Sequence, residues 1–204
     1  YDYNSFINHI WCLLFRYFII NDNNQLILNI HEELEKLYQN TIELFASSIN
    51  SYRNYCSIFY DIEHLFNSYG NFFNVTLIKG FYKANMPYDE EIMKLACKKL
   101  IYMLKKSDKP LACLLCMPVW DINGKKTLLN VNNNMEEYYG NYEALDILEK
   151  SNLITYKRII PKKEINYLSI NNMKKISASN TYIIVIENQY SNLDLEYISN
   201  VSYL

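Results

Sequence analysis

Leu111-Ala112-Cys113-Leu114-Leu115-Cys116-Met117-Pro118-Val119 is the run on which the fold turns. It is almost continuously apolar, lacks the polar alternation of a half-wet strand, and is far too short to span a bilayer. It therefore predicts a central strand covered on both faces. Just before it, Pro110 stops a helix that Asp89-Glu90-Glu91 opens and that runs to Lys106. The acids stand at the start of that helix and the lysines at its end, as the helix dipole favours. Beyond the run, Glu143 to Lys150 predicts another helix and Leu153 to Ile160 another strand. A lysine-bearing loop follows, and then Thr181 to Glu187, which is strongly β in character. Strands alternating with helices imply a mainly parallel sheet sandwiched by helices, an α/β architecture.

Towards the amino end, residues 4 to 20 carry a helical stripe of Phe6, Ile7, Ile10, Trp11, Leu14, Phe15 and Phe18. Arg16 interrupts the most apolar part, Ile10 to Ile20, which is too short for a membrane span and is read as a buried helix. Asn21-Asp22-Asn23-Asn24 breaks it, and His31 to Tyr38 reads as a charged amphipathic helix. Thr41 to Ala46 is a short β-type run ending in the turn-prone Ser47-Ser48-Ile49-Asn50. The tyrosine-rich segment to Phe59 reads as helical. Residues 72 to 82 read as loop plus strand, delivering Gly80-Phe81-Tyr82-Lys83-Ala84 into the turn Asn85-Met86-Pro87-Tyr88. No internal repeat interrupts this order. The expectation is one domain over residues 1–204, with 1–40 a helical lead-in and 41–190 the catalytic-type core.

Composition narrows the function classes. The chain has 204 residues, 50% of them apolar, enough for a full core without disulfides or metal. Its net charge of -2 excludes a module that binds nucleic acid by bulk charge, so any polyanion contact must come from a local patch. Cys12, Cys56, Cys97, Cys113 and Cys116 are scattered and odd in number, the pattern of reduced thiols in an intracellular protein. Cys113 and Cys116 have metal-like spacing, but within one strand they face opposite ways, and no metal site is expected. His31-Glu32-Glu33 lacks the second histidine of a zinc-protease helix. The chain begins at Tyr1 rather than at a methionine, which reads as a trimmed or processed start. Asn132-Asn133-Asn134 reads as a low-complexity loop. Lys157, Arg158, Lys162 and Lys163 form the densest basic cluster, read as a solvated loop in preference to an RNA phosphate contact.

In an α/β sheet, ligands gather beyond the carboxyl ends of the strands. Two such ends stand out: Phe45-Ala46-Ser47-Ser48-Ile49-Asn50, and Ala84-Asn85-Met86-Pro87-Tyr88. A polar residue, proline and an aromatic ring in one turn suit methylation of an exocyclic amine of a base. The adenine amino nitrogen is a poor nucleophile because its lone pair is delocalised into the ring. The Asn85 side-chain oxygen and the Met86 carbonyl can each accept one of its N–H bonds and so aim the lone pair at a methyl donor. Pro87 fixes the turn, and the Tyr88 ring stacks on a base taken out of its strand. Alignment supplies the rate, with no metal and no covalent intermediate.

Several blocks, in order, resemble the phosphorylated-CTD-interacting-factor family, the cap-specific adenosine N6-methyltransferases. Trp11 to Tyr17 resembles the family's "W-x-L-L-x-R-Y". Phe45 to Tyr52 resembles "F-A-S-P-L-N-C-Y", and Tyr55 to Phe59 resembles "Y-C-S-A-F". Gly80 to Tyr88 resembles "G-S-F-E-A-N-P-P-F", and Glu90 to Met93 "E-E-L-M". Met117 to Trp120 resembles "I-P-E-W", and Asn180 to Asn188 "N-T-A-V-L-F-L-Q-N". The likeness covers about residues 10 to 190. It implies a Rossmann-like class I methyltransferase, with a mostly parallel central sheet flanked by helices and an antiparallel C-terminal strand. It implies S-adenosylmethionine as cofactor, approached by Phe45, Ala46, Ser47 and Asn50, with Asp61 or Glu63 on its ribose hydroxyls. Asn85, Met86, Pro87 and Tyr88 take the catalytic turn, and Lys79 and Lys83, which flank it in sequence, are the candidate phosphate contacts. The partners implied are capped mRNA or other adenosine-containing RNA, with the RNA polymerase II tail or a viral RNA-processing complex as further candidates. No membrane is involved. The implied location is intracellular, in the nucleus of a cell or the cytoplasmic factory of a virus.

Two departures stand against the family pattern. Met86 replaces the first proline, keeping the carbonyl but losing stiffness, although Pro87 still biases Met86 towards extended backbone. The helical region that such enzymes carry before the core, and use for the cap, is mostly missing from these 204 residues. The leading expectation is therefore methyl transfer to adenosine N6. The alternative is a catalytically inactive methyltransferase-like RNA-binding or assembly subunit.

Overall fold

The computed structural model describes residues 2–19, 26–28, 38, 41–51, 53–120, 125–129, 135–139, 142–169, 174–176 and 179–200. Helix α1 (Tyr3–Ile19) leads. Strands β1 (Leu26–Leu28), β2 (Ile42–Glu43) and β3 (Asn54–Tyr55) come next, then the short helix α2 (Tyr60–Glu63). Strand β4 (Gly80–Asn85), helix α3 (Glu90–Lys106) and strand β5 (Leu111–Pro118) form the centre. After them come the hairpin β6 (Lys125–Leu129) and β7 (Met135–Tyr139), helix α4 (Glu143–Glu149) and strand β8 (Ile154–Ile160). Strands β9 (Tyr167–Ser169), β10 (Lys174–Ile176) and β11 (Thr181–Glu187) precede helix α5 (Leu195–Asn200).

The central sheet has the order β3-β2-β4-β5-β11-β8. The pairs β2–β3, β2–β4 and β4–β5 are parallel, whereas β11 runs antiparallel to both β5 and β8. Five of these strands therefore point one way, and β11 alone is reversed within that sheet. The protein is mixed α/β with a mostly parallel central sheet. Strand β5 is buried along its whole length, as its unbroken apolar sequence requires. Odd and even residues serve two cores. Cys113 and Leu115 join Met93, Ala96, Cys97 and Leu100 of α3 on one face. Cys116 and Leu114 join Tyr167 and Ile198 on the other. The two thiols thus face opposite sides of the sheet, and burial pushes Cys116 up to about 12.

Helix α3 starts where its sequence says. Asp89 caps it by accepting from the Ile92 amide at 2.9 Å, and Lys105 and Lys106 close it. Glu90 accepts from the Ala144 amide and so fastens the start of α3 to the start of α4. Among the described residues no helix is long and apolar enough to cross a membrane, and no group of His, Cys, Asp and Glu is gathered as for a metal ion.

Four expectations change. Helix α1 is not a buried helix: only Leu13 and Tyr17 are buried, while Trp11 is 66% and Phe18 77% exposed. Its docking face buries Leu13 and Tyr17 against Ile62, with polar pairs beside them. Arg16 pairs with Asp61 and lies over the Phe59 ring, and Tyr17 donates to Glu63. Each residue is about 100° around a helix, so fixing Tyr17 inward turns Phe18 and Trp11 away. The tyrosine-rich segment is not helical either: Asn54–Tyr55 pairs with β2 as a strand, and helix begins only at Tyr60. The β-type run 41–46 shortens to Ile42–Glu43; the Leu44 amide still donates to the Lys83 carbonyl, and the chain then turns into the loop. The lysine-bearing loop contains β9 and β10, which pair antiparallel, with β1 on the other side of β9. The expected helix from His31 lies, apart from Tyr38, outside the described residues, as does Asn132-Asn133-Asn134.

Candidate active site

Strand β2 is followed by β3 on one side, and β4 lies on its other side. The connections that leave the carboxyl ends of β2 and β4 therefore run to opposite sides, which makes a topological switch point where a ligand crevice is expected. From β2 the loop Leu44 to Asn50 departs. β4 ends at Asn85, which is paired in register with Cys116 of the central strand. The Asn85 Oδ1 atom is buried and accepts no hydrogen bond from the described residues. A buried carbonyl oxygen without a donor costs roughly 1–3 kcal/mol, which makes this oxygen a candidate acceptor for a ligand donor.

The rest of the turn is built around that amide. The Met86 side chain is 2% exposed and sits in the core with Ala84 and Met93. Burying it stabilises the turn by about 1.5–3 kcal/mol, an anchorage of another kind than proline's stiffness. Pro87 is exposed, and its carbonyl accepts from the Asp89 amide at 2.7 Å. The half-buried Tyr88 ring meets Trp120 edge-on, with centroids 6.1 Å apart and planes at 85°. Trp120 in turn packs on Tyr142. The Tyr88 hydroxyl lies 3.3 Å from that of Tyr167, which lies 3.3 Å from the Thr181 hydroxyl. Tyr88 is thus held at both its ring and its tip. Trp120 and Tyr167 escaped the sequence reading as site residues. Trp120 stands in a family-like block but had no role, and Tyr167 has no local signal because it arrives from β9.

The loop after β2 fastens itself. The Ser47 amide and hydroxyl both donate to Asn50 Oδ1, at 2.7 and 3.2 Å, and the Ile49 amide donates to Ser47 Oγ. The Ala46 amide donates to the Cys56 carbonyl, and the Phe45 ring packs on Phe72 and Phe73. Ser47 and Asn50 therefore shape the loop, and its backbone amides from Ala46 to Ser51 are all engaged within the protein. Below it, Glu63 is fully buried and accepts from Tyr17 at 2.6 Å and from the Ser48 amide at 2.7 Å. Burial first, and then the bond to Glu63, push the Tyr17 hydroxyl's pKa well above its ordinary value. Asp61 is on the surface. Its bond to the Arg16 guanidinium holds its carboxyl below the usual range. Both acids proposed for a ribose are engaged by α1.

The structure does not bring Lys79 and Lys83 to Asn85 as surface cations. Lys79 is exposed at the other end of β4, roughly 20 Å away along the strand. Lys83 is 2% exposed and pairs at 2.9 Å with Glu43, its register partner on β2.

Fold and turn together define a mixed α/β protein with a mostly parallel sheet and an unpartnered amide oxygen at its switch point, an arrangement that fits a methyltransferase fold. Residues 1–169 match the family described as phosphorylated CTD interacting factor 1 WW domain, and the chain belongs to that family. Two relatives, from Mus musculus and Homo sapiens, are each named "mRNA (2'-O-methyladenosine-N(6)-)-methyltransferase". Each is 26% identical to this chain over 188 residues, which is 87% of the chain and 26% of the relative. The chain thus spans about a quarter of the length of the curated relatives it matches.

Proposed function

We propose that this chain is the catalytic core of an S-adenosylmethionine-dependent methyltransferase acting on N6 of adenosine at the start of capped mRNA. The observation that carries the reading is the buried, unpartnered Asn85 Oδ1 at the carboxyl end of β4. The strand order supports it as well: parallel strands on both sides of the switch point and one reversed strand, β11, inserted beside β5 are what a class I methyltransferase sheet requires. The relatives' shared name supplies the acceptor, the amino group of a 2'-O-methylated adenosine in mRNA.

The residues present fit the acceptor end of such a site. Asn85 Oδ1 accepts one N–H of the amino group and the Met86 carbonyl the other. Held this way, the nitrogen lone pair is turned out of conjugation with the ring and aimed along the crevice. Tyr88 stacks on the flipped base, its plane fixed by Trp120 and Tyr167. Phe45, Ala46, Ser47 and Asn50 would line the place of S-adenosylmethionine, which would supply the methyl group by breaking its S–CH3 bond and leave as S-adenosylhomocysteine. After transfer the nitrogen carries a positive charge and loses a proton, for which Asn85 and the Met86 carbonyl remain as acceptors on the way to solvent.

The test is methyl transfer to capped RNA beginning with adenosine, comparing the chain with Asn85→Ala. Equal rates in the two proteins would sink the mechanism. One observation favours a non-catalytic relative: Asp61 and Glu63 are both engaged by α1, which leaves the ribose without its acid. Calorimetric titration with S-adenosylmethionine separates the two readings, since saturable binding excludes the second.

A further inference from the structure

Charge along this chain is unevenly spread, and the fold puts the positive part beside Tyr88. Residues 157–175 hold six basic side chains and one acid, a net of +5, so the rest of the chain carries -7 to reach the total of -2. Lys157 and Arg158 are engaged within the protein, with Glu149 and the Ser199 carbonyl. Lys162, Lys163, Lys174 and Lys175 are exposed. Their position follows from register. Strand β8 ends at Ile160, opposite Thr181, which lies opposite Pro118 at the end of β5. The Lys162–Glu164 turn therefore rises from the same edge of the sheet as Asn85. Tyr167, four residues beyond Lys163, reaches the Tyr88 hydroxyl. On the strand beside it, Lys174 pairs with Ser169 and Lys175 with Leu168. The other flank of Tyr88 is acidic, with Asp89, Glu90 and Glu91 opening α3. Glu164 is the one acid within residues 157–175.

We infer that Lys162, Lys163, Lys174 and Lys175 form a rim that receives the backbone phosphates of single-stranded RNA adjoining the nucleotide stacked on Tyr88. The inference rests on the proposed function for the identity of that nucleotide. It assigns the charge contact to residues other than Lys79 and Lys83. An aromatic ring flanked on one side by lysines and on the other by acids gives a strand a direction, because phosphates are drawn to the first flank and repelled from the second. It also reconciles a negative chain with a polyanionic substrate, since the contact is local.

Fluorescence anisotropy with a short single-stranded RNA beginning with adenosine, over a series of salt concentrations, tests it. The proteins are the whole chain, Lys162→Gln/Lys163→Gln, Lys174→Gln/Lys175→Gln, and Lys105→Gln/Lys106→Gln as a control at the far end of α3. Each rim pair is expected to weaken binding roughly threefold to tenfold and to flatten the salt slope by about 0.7 for each phosphate no longer neutralised, with the control unchanged. Unchanged affinity and slope in both rim pairs overturns the inference. So does an equal effect in the control, absence of RNA binding by the chain, or a preference of the rim for an acidic phosphopeptide over RNA. Methyl transfer by the same proteins separates the two readings. Rim-dependent RNA binding without transfer sinks only the catalytic reading, and transfer with an unaltered KM for RNA in the rim variants sinks only the rim.

Discussion

Lys83 and Asn85 sit two residues apart on β4 and so face the same side of the sheet, yet the protein treats them in opposite ways. Lys83, the stronger charge, is buried in a salt bridge with Glu43 across the parallel ladder. Asn85, neutral and half-buried, keeps an oxygen without a donor. A buried charge must be matched, because leaving one ion alone costs several kcal/mol, whereas an amide oxygen costs far less to leave open. Lys83 ties β4 to β2, and with it the acceptor turn to the loop after β2. Asn85 faces outward from that tie.

Asn85→Ala is expected to lower the rate of methyl transfer by roughly a hundredfold or more, the scale for losing one preorganised group at a reacting centre. Because Oδ1 has no partner in the folded chain, the melting temperature should not fall. A melting curve that drops by many degrees would place Asn85 with Lys83 as a structural group.

At Lys83 the expected effect falls on folding. Lys83→Met leaves the Glu43 carboxylate buried without its cation and is expected to destabilise the fold by about 3–5 kcal/mol in urea unfolding. The double variant Glu43→Leu/Lys83→Met removes both charges and should recover most of that loss. If the single variant is as stable as the parent, the pair does not tie the two strands.

Glu63 extends the contrast to the other side of the crevice. Tyr17→Phe takes one of two donors from a fully buried carboxylate and is expected to cost about 1.5–3 kcal/mol. If Glu63 holds the loop through the Ser48 amide, the affinity for S-adenosylmethionine should fall too, while the affinity for RNA stays the same. Equal losses for both ligands would reduce Tyr17 to general stability.

These roles differ in how far they could be read from residues alone. The apolar run of β5, the capped and charge-graded α3, and β11 were legible because each is decided within its own segment. The turn at Asn85 stood out as a candidate because Pro87 and Tyr88 follow within three residues. Lys83 was not: in Tyr82-Lys83-Ala84 it looks like a surface cation, and only the register with Glu43, forty residues earlier, buries it. The small sheet of β1, β9 and β10 was hidden for the same reason, since β1 and β9 are remote in the chain and each is three residues long. Glu63 gives no signal in Asp61-Ile62-Glu63-His64. Helix α1 shows the limit most plainly. Its stripe said that one face is apolar, but the face that docks is the one carrying Leu13 and Tyr17, which meets Ile62 from a distant segment.

The smallest effect belongs to the outermost of these contacts. Arg16 and Asp61 meet at 2.6 Å, but both are substantially exposed, so Arg16→Ala is expected to cost only about 0.2–1 kcal/mol. Its pH dependence has a definite sign. The Asp61 carboxyl is held below its ordinary 3.8 by the guanidinium, so the folded state binds that proton less readily than the unfolded one. The contribution is complete above the unfolded value and disappears as pH falls through the lowered folded value. The difference in stability between the chain and Arg16→Ala should therefore be constant near neutral pH and close towards zero only as pH falls through the lowered Asp61 value. High salt should shrink it at any pH, as it does for exposed pairs, while leaving the Lys83→Met difference almost untouched. A salt response shared by the two would show that the β4 tie is as wet as the α1 contact, and the distinction between a buried Lys83 and an open Asn85 would lose its footing.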